Sequence, residues 1–175
     1  MEWRVFMWLS HLYNRTFKVI SLFGLFVGMM GLTATPSMAS TQFIIRDHIV
    51  IDLKSGVEWL RCSVGQTWNG ETCVGEIVKL NHDQIKEAIL QANTQLGGNW
   101  RLPNLDELEG IVCYECEDIK IELDVFPNTS GEPYWTGQPN PYATRHIYTV
   151  NFFNGYTYGR FFPYQEMAVR LVQDR

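Results

Sequence analysis

The sequence predicts a mixed α+β domain with antiparallel strands at both ends, one long and one short helix, and long disulfide-closed loops. Three observations carry this reading. Apolar residues Ile85, Ala88, Ile89, Ala92 and Leu96 recur at helical spacing between Asn81 and Gly97-Gly98. Asn154-Gly155 lies between two β-rich runs, the pattern of a tight hairpin whose two turn residues both take positive φ. Cys62, Cys73, Cys113 and Cys116 form an even set that follows residue 39.

Residues 1–39 read as a secretory signal. Arg15 and Lys18 precede an uncharged apolar run from Val19 to Leu32, and Thr33 to Ala39 is rich in small and turn-forming residues. Ser37 and Ala39 occupy the positions a signal peptidase reads, so cleavage is expected after Ala39. The apolar run is shorter than the roughly 20 residues a helix needs to cross a bilayer. No stable membrane span is therefore expected after cleavage. Residues 40–175 then form one domain, long enough to bury a core. Losing the leader's Arg4, Arg15, Lys18 and Glu2 takes the net charge from −5 to −7. Such a domain has no long-range attraction for nucleic acid, which is excluded as the expected partner.

Export makes disulfides the natural state of the cysteines. Three connectivities are possible, and the local pairs Cys62–Cys73 and Cys113–Cys116 are favoured. Closing the first loop contributes about 3 kcal/mol on the chain-entropy account. Zinc is a weaker reading of Cys113-Tyr114-Glu115-Cys116, because the other pair is too widely spaced for a ribbon. A redox pair needs a stabilised thiolate, which Glu115, Glu117 and Asp118 oppose.

Along the chain, Gln42 to Asp52 reads as one or two strands. Leu53 to Gly56 reads as a turn, with Gly56 free to take a positive φ. Val57 to Arg61 returns as a strand with Val57 and Trp59 on one face. Ser63 to Gly75 reads as an irregular loop held by its cystine. Asn81 and Gln84 can form a capping box at the start of the long helix, and Gly97-Gly98 stops it. Asp83, Lys86, Glu87 and Gln91 form its solvated face. Pro103 pushes Leu102 toward an extended conformation. Asn104 then caps a short helix, with Glu107 completing the box and Leu105 and Leu108 facing inward. Glu115 to Asp124 is an acidic loop without the spacing of an EF-hand. Tyr134-Trp135-Thr136 is a short aromatic strand. His146 to Phe153 and Tyr156 to Phe161 flank the Asn-Gly turn, and Ala168 to Val172 is the last strand.

The ordered set of these segments resembles the C-terminal domain family of the Legionella collagen-like adhesin (the Lcl C-terminal domain). It begins with Ser55-Gly56-Val57-Glu58-Trp59 and the Arg61 to Gly75 cystine loop. It continues through Trp100-Arg101-Leu102-Pro103, Glu107-Leu108, Phe126-Pro127-Asn128-Thr129 and Tyr134-Trp135-Thr136. It ends with Val150 to Gly155 and Val169-Arg170-Leu171-Val172. The likeness spans about Ile51 to Val172. The arginine-leucine-proline segment before a glutamate-bearing helix also resembles the formylglycine-generating-enzyme group. That likeness implies a C-type-lectin-like architecture with a twisted antiparallel sheet. The adhesin resemblance implies extracellular attachment, which in the named adhesin is associated with sulfated glycans. This chain differs from it in its negative charge and in having no collagen-like repeat. The formylglycine-generating enzymes use cysteines near the domain end, and this chain has none after Cys116.

The expected ligand-binding set is Trp135, Gln138, Asn140, Tyr142 and Tyr156. Sugars stack C–H faces on aromatic rings while their hydroxyls seek amides, and Trp and Tyr offer a broad apolar face with a polar tip. Core packing competes for Trp135 and Phe152, and exposure is expected for Tyr142 and Tyr156. Gln138-Pro139-Asn140 resembles the sugar-selecting tripeptide of calcium-dependent C-type lectins, which would require a calcium ion with several oxygen ligands. Calcium is the only cofactor this suggests. Trp100, Arg101, Pro103, Glu107 and Arg170 are expected to be structural. A buried guanidinium needs a partner, so Arg101 is expected to pair with Glu107 and Arg170 with a carboxylate of its own. His48, His82 and His146 are dispersed, and no nucleophile elbow or phosphate loop is present. No catalytic residue and no metal ligand are expected. The function expected is an exported, non-catalytic recognition or adhesion module, periplasmic or at the bacterial surface, that binds a glycan or an envelope protein. A structural part of an envelope assembly and a divergent formylglycine-group enzyme are the alternatives.

Overall fold

The computed structural model describes residues 42–175, so the signal segment expected over residues 1–39 lies outside the described residues. Strands β1 (Phe43–Arg46), β2 (Ile49–Asp52) and β3 (Val57–Leu60) form a meander. The cystine loop holds β4 (Thr67–Trp68) and β5 (Cys73–Val74). Helices α1 (His82–Leu96) and α2 (Leu105–Gly110) follow. Strands β6 (Pro133–Pro139), β7 (Ile147–Asn151), β8 (Tyr156–Phe161) and β9 (Val172–Asp174) complete the chain.

The class is α+β with antiparallel sheets, and the strands form three sheets rather than one. Their orders are β1-β2-β3-β9, β4-β5 and β6-β7-β8. In the first sheet, Val50 faces Trp59 and Trp59 faces Val172 across the ladders. All three are fully buried and join Leu108, Phe126, Tyr134, Val150 and Phe152 in one core cluster. Ile85, Trp100, Trp135, Val169 and Leu171 make a second cluster under α1.

Residues 168–172 explain why one sheet becomes several. The run was expected to be the last strand, but regular pairing begins only at Val172. The residues before it are extended and change partner at each step. Met167 exchanges backbone bonds with Leu80, Trp135 N donates to Ala168 O, Val64 N to Val169 O, and Leu60 N to Leu171 O. Wholly buried, and apolar except for Arg170, the run acts as a spine between sheets.

Arg170 sits on that spine with no exposed surface. It was expected to pair with a carboxylate, and the structure corrects this. Nη1 donates to the carbonyls of Leu60 (3.0 Å) and Arg61, and Nη2 donates to Ser63 Oγ (3.1 Å) and Thr129 Oγ1 (2.6 Å). The guanidinium carbon lies 4.8 Å from the Phe126 ring centroid. Among the described residues no carboxylate pairs with it; oxygen dipoles and aromatic faces take that role. Burial pulls its pKa down to about 10, which leaves it cationic at neutral pH.

Arg101 does pair with carboxylates. It meets Glu107 through two bonds of 2.9 and 2.8 Å and reaches Asp174 at 2.5 Å, while remaining partly exposed. Glu107 also accepts from Asn104 N at 2.7 Å, which completes the α2 capping box. Pro103 is buried, and its carbonyl accepts from Gly137 N at 2.8 Å. Trp100 closes α1: its backbone N donates to Asn93 Oδ1 at 2.6 Å and its indole Nε1 to Gly97 O at 2.8 Å.

The β7–β8 turn also departs from expectation. Phe152 and Phe153 leave the ladder, so four residues connect Asn151 to Tyr156, and only Gly155 has positive φ (76°). The reason is Phe152, whose ring is fully buried and whose carbonyl accepts from Lys120 N. Core packing draws it out of the strand and opens the two-residue turn into a four-residue loop.

Candidate ligand groove

A groove of about 470 Å³ runs between α1 and the cystine hairpin. The helix supplies Ala88, Gln91, Ala92, Gln95 and Leu96. The facing wall is Val64, Gly65, Gln66, Thr67 and Trp68, with Asp47 and His48 at the rim. Leu60 and Leu171 lie below.

The hairpin wall is fixed at several points. Both local disulfides are formed, Cys62–Cys73 and Cys113–Cys116. The first ties the chain entering the hairpin, at Cys62, to β5 at Cys73, and Trp68 pairs with Cys73 across the hairpin. The tip is turned by Asn69, whose side-chain oxygen accepts from Glu71 N (3.0 Å) and Thr72 N (2.9 Å). Asn128 braces the hairpin from outside by donating Nδ2 to Cys73 O at 2.6 Å. Gln66 donates to Asn128 O at 3.1 Å and accepts from Ser63 N at 3.1 Å. Gly65 is obligatory: its φ is +97°, and a Cβ would stand 2.5 Å from Glu76 O. Inside, Ser63 Oγ meets Tyr134 OH at 2.9 Å and Arg170, so the buried arginine anchors the hairpin to the β6 sheet.

Trp68 is the most constrained feature of the rim. Arg61, which does not line the groove, places its guanidinium carbon 4.2 Å from the Trp68 ring centroid. That guanidinium donates to the carbonyls of Val125 (2.9 Å), Asp47 (3.0 Å) and Asp124 (2.9 Å), so all its branches are held. Burial lowers the Arg61 pKa, partly offset by Asp47. Trp68 Nε1 donates to Asp47 Oδ1 at 2.7 Å. Asp47 reaches it from the left-handed region (φ 52°) of the two-residue β1–β2 turn. Its other oxygen meets His48 Nδ1 at 3.1 Å. Hydrogen bonds from His48 and Trp68 hold the Asp47 carboxyl below the usual carboxylate value.

The helix wall corrects the amphipathic reading of α1. Ile85 is buried, and Ile89 and Ala92 pack on the second core cluster. Ala88 and Leu96 face the groove instead, and Leu96 is 51% exposed. Gln91, read as part of the solvated face, also lines the groove. Ala88–Ala92 and Gln91–Gln95 are both i,i+4 pairs, an amide-and-alanine stripe beside the core stripe. That stripe was the available sequence signal, along with Asn69-Gly70, the same dipeptide that lies in the β7–β8 connection at 154–155. The expected irregular loop is in fact this hairpin.

The five residues expected to bind ligand are not gathered into one surface. Trp135 is fully buried with its Nε1 donating to Leu80 O at 2.9 Å, so it belongs to the core. Gln138 Oε1 accepts from Leu105 N at 3.2 Å, supporting α2. Asn140 donates to Gly159 O at 2.7 Å and accepts from Tyr142 N at 2.9 Å, so its amide is engaged internally. Tyr142 (94% exposed) and Tyr156 (63%) lie beyond opposite ends of β7. Five residues of strand hold them roughly 15 Å apart along its axis. Among the described residues no group of three His, Cys, Asp or Glu side chains is placed to hold a metal ion. No helix among them is long and apolar enough to cross a membrane.

No curated protein and no solved structure matches the chain. The Lcl C-terminal domain family matches residues 48–173, a span that holds both cystines, both helices and every residue lining the groove except Asp47. The chain belongs to the Lcl C-terminal domain family.

Proposed function

We propose that this domain is an exported, non-catalytic recognition module that holds its ligand in the groove between α1 and the cystine hairpin. The family points to an adhesin-like module, and two disulfides fit an oxidising compartment. The observation that carries the reading is Trp68, a half-exposed ring on the groove rim immobilised by Arg61, Asp47 and the cystine-tied strand. A rigid aromatic anchor loses little conformational entropy on binding, and such anchors dominate recognition surfaces. A C-type-lectin-like arrangement, display at the periplasm or cell surface, and a glycan or envelope protein as ligand belong to the same proposal.

A protein partner has a surface of its own to favour it. Tyr114, Phe153 and Tyr156 are each more than 60% exposed around the Cys113–Cys116 loop and the β7–β8 turn. The Tyr114 ring stands 3.1 Å from the position a Gly155 Cβ would take.

The test is binding of the exported chain to glycan arrays and to envelope extracts, beside Trp68→Ala and Tyr156→Ala variants. Loss of binding with Trp68→Ala and retention with Tyr156→Ala is the expected result. The reverse pattern moves the site to the β7–β8 turn, and turnover of a bound compound ends the non-catalytic reading.

A further inference from the structure

We infer that the groove takes a neutral, hydroxyl-rich glycan, without calcium and without any contribution from sulfate or carboxylate groups on the sugar. This rests on the groove being the binding site, as proposed above.

The charge of the walls decides the ligand class. No lysine or arginine lines the groove, and its one full charge is the Asp47 carboxylate. An anionic sugar would meet no cation there, a carboxylate at the rim and a domain of net charge −7. The nearby cation, Arg61, is spent on three backbone carbonyls and stacks on the Trp68 ring without lining the groove. That same guanidinium also disfavours a cationic ligand. The ring's negative face is already engaged by one positive charge, which weakens its pull on a second.

What remains is neutral hydrogen bonding beside an apolar floor. The side-chain amides of Gln91 and Gln95 are exposed and have no hydrogen-bond partner among the described residues. Each amide offers a donor and an acceptor, the combination that adjacent sugar hydroxyls match. Their i,i+4 spacing sets them about 6 Å apart along the helix axis, comparable to one pyranose unit. Ala88 and Ala92 between them leave room for a ring to approach the helix. Trp68 supplies the apolar face for C–H stacking. Calcium has no seat here, since Asp47 is the groove's only carboxylate and its two oxygens already accept from Trp68 and His48.

The test is calorimetric titration of the exported chain with neutral hexose and N-acetylhexosamine oligosaccharides, their sulfated forms, uronic-acid oligomers and unstructured peptides, in EDTA. Neutral oligosaccharides should bind, with an affinity unchanged by added calcium or raised ionic strength. Trp68→Ala and the double variant Gln91→Ala/Gln95→Ala should each weaken binding by about tenfold or more with circular dichroism unchanged. The helix variant leaves the hairpin intact, so the inference stays testable if Trp68→Ala does not fold. Tighter, salt-sensitive binding of sulfated or uronic forms overturns it, as does a calcium requirement or no binding by any neutral oligosaccharide. Peptide binding lost with Trp68→Ala overturns the ligand class while leaving the groove as the site. Sugar binding indifferent to both groove variants overturns the site itself.

Discussion

The cystine hairpin carries one aromatic ring on its outer wall; the β6-β7-β8 sheet carries many. Of the rings in and around that sheet, Tyr134, Trp135 and Phe152 are in the core, Tyr148, Tyr158 and Phe161 are half-buried along β7 and β8, and Tyr142 and Tyr156 are exposed toward opposite ends of β7. The hairpin's single ring is fixed by a guanidinium, a carboxylate and a cystine-tied strand, beside a groove. The difference teaches that fixation next to a concavity, rather than aromatic content, marks a recognition surface. An aromatic strand is first of all a core element.

The most damaging way to break this contrast is to cut the link between the two regions. Arg170→Met should cost about 3 kcal/mol or more in urea unfolding. It removes the donors that serve two buried carbonyls and the hydroxyls of Ser63 and Thr129. A loss below about 1 kcal/mol would mean the buried charge is no net anchor.

The two cystines sharpen the contrast next. Their sequence separations are 11 and 3. Replacing Cys62 and Cys73 with serine should cost about 3 kcal/mol, and replacing Cys113 and Cys116 about 2 kcal/mol. Only the first pair should also abolish ligand binding, because only it closes the groove wall. Equal loss of binding from both would deny the hairpin its special role.

Smaller effects are expected on the other side. Phe153→Ala and Tyr156→Ala remove exposed rings, so stability should change by no more than about 0.5 kcal/mol. The subtlest measurement is the pH dependence of Trp68 fluorescence. Hydrogen bonds from His48 and Trp68 hold the Asp47 carboxyl below its ordinary value. A depressed carboxylate contributes its stabilisation above its unfolded-state pKa and loses it as pH falls through the folded value. The Trp68 environment should therefore hold through the ordinary carboxylate range and change only in more acidic solution; a carboxylate transition within that range would separate the ring from Asp47.

Much of the fold was legible because its signals are local. Asn81 with Gln84 and Asn104 with Glu107 form the capping boxes their spacing demands. Val57 and Trp59 share a buried face through strand alternation. The site was less legible because it joins segments distant in sequence. Asp47, Trp68 and Gln91 meet only once the first sheet, the hairpin and α1 are assembled. Leu96 fits the helical period of the core stripe, yet periodicity gives an angle around the helix axis, not what stands opposite that angle.

The sequence by itself determined the helix ends, the strand faces and the cysteines available for pairing, since each follows from bonds between near neighbours or from backbone geometry. The tertiary structure alone decided that residues 168–172 would serve several sheets, that Arg170 would be met by carbonyls and hydroxyls instead of a carboxylate, and that Trp68 would stand over a groove. Long-range packing assigns a side chain its neighbours, and those neighbours decide whether a ring fills the core or faces a ligand.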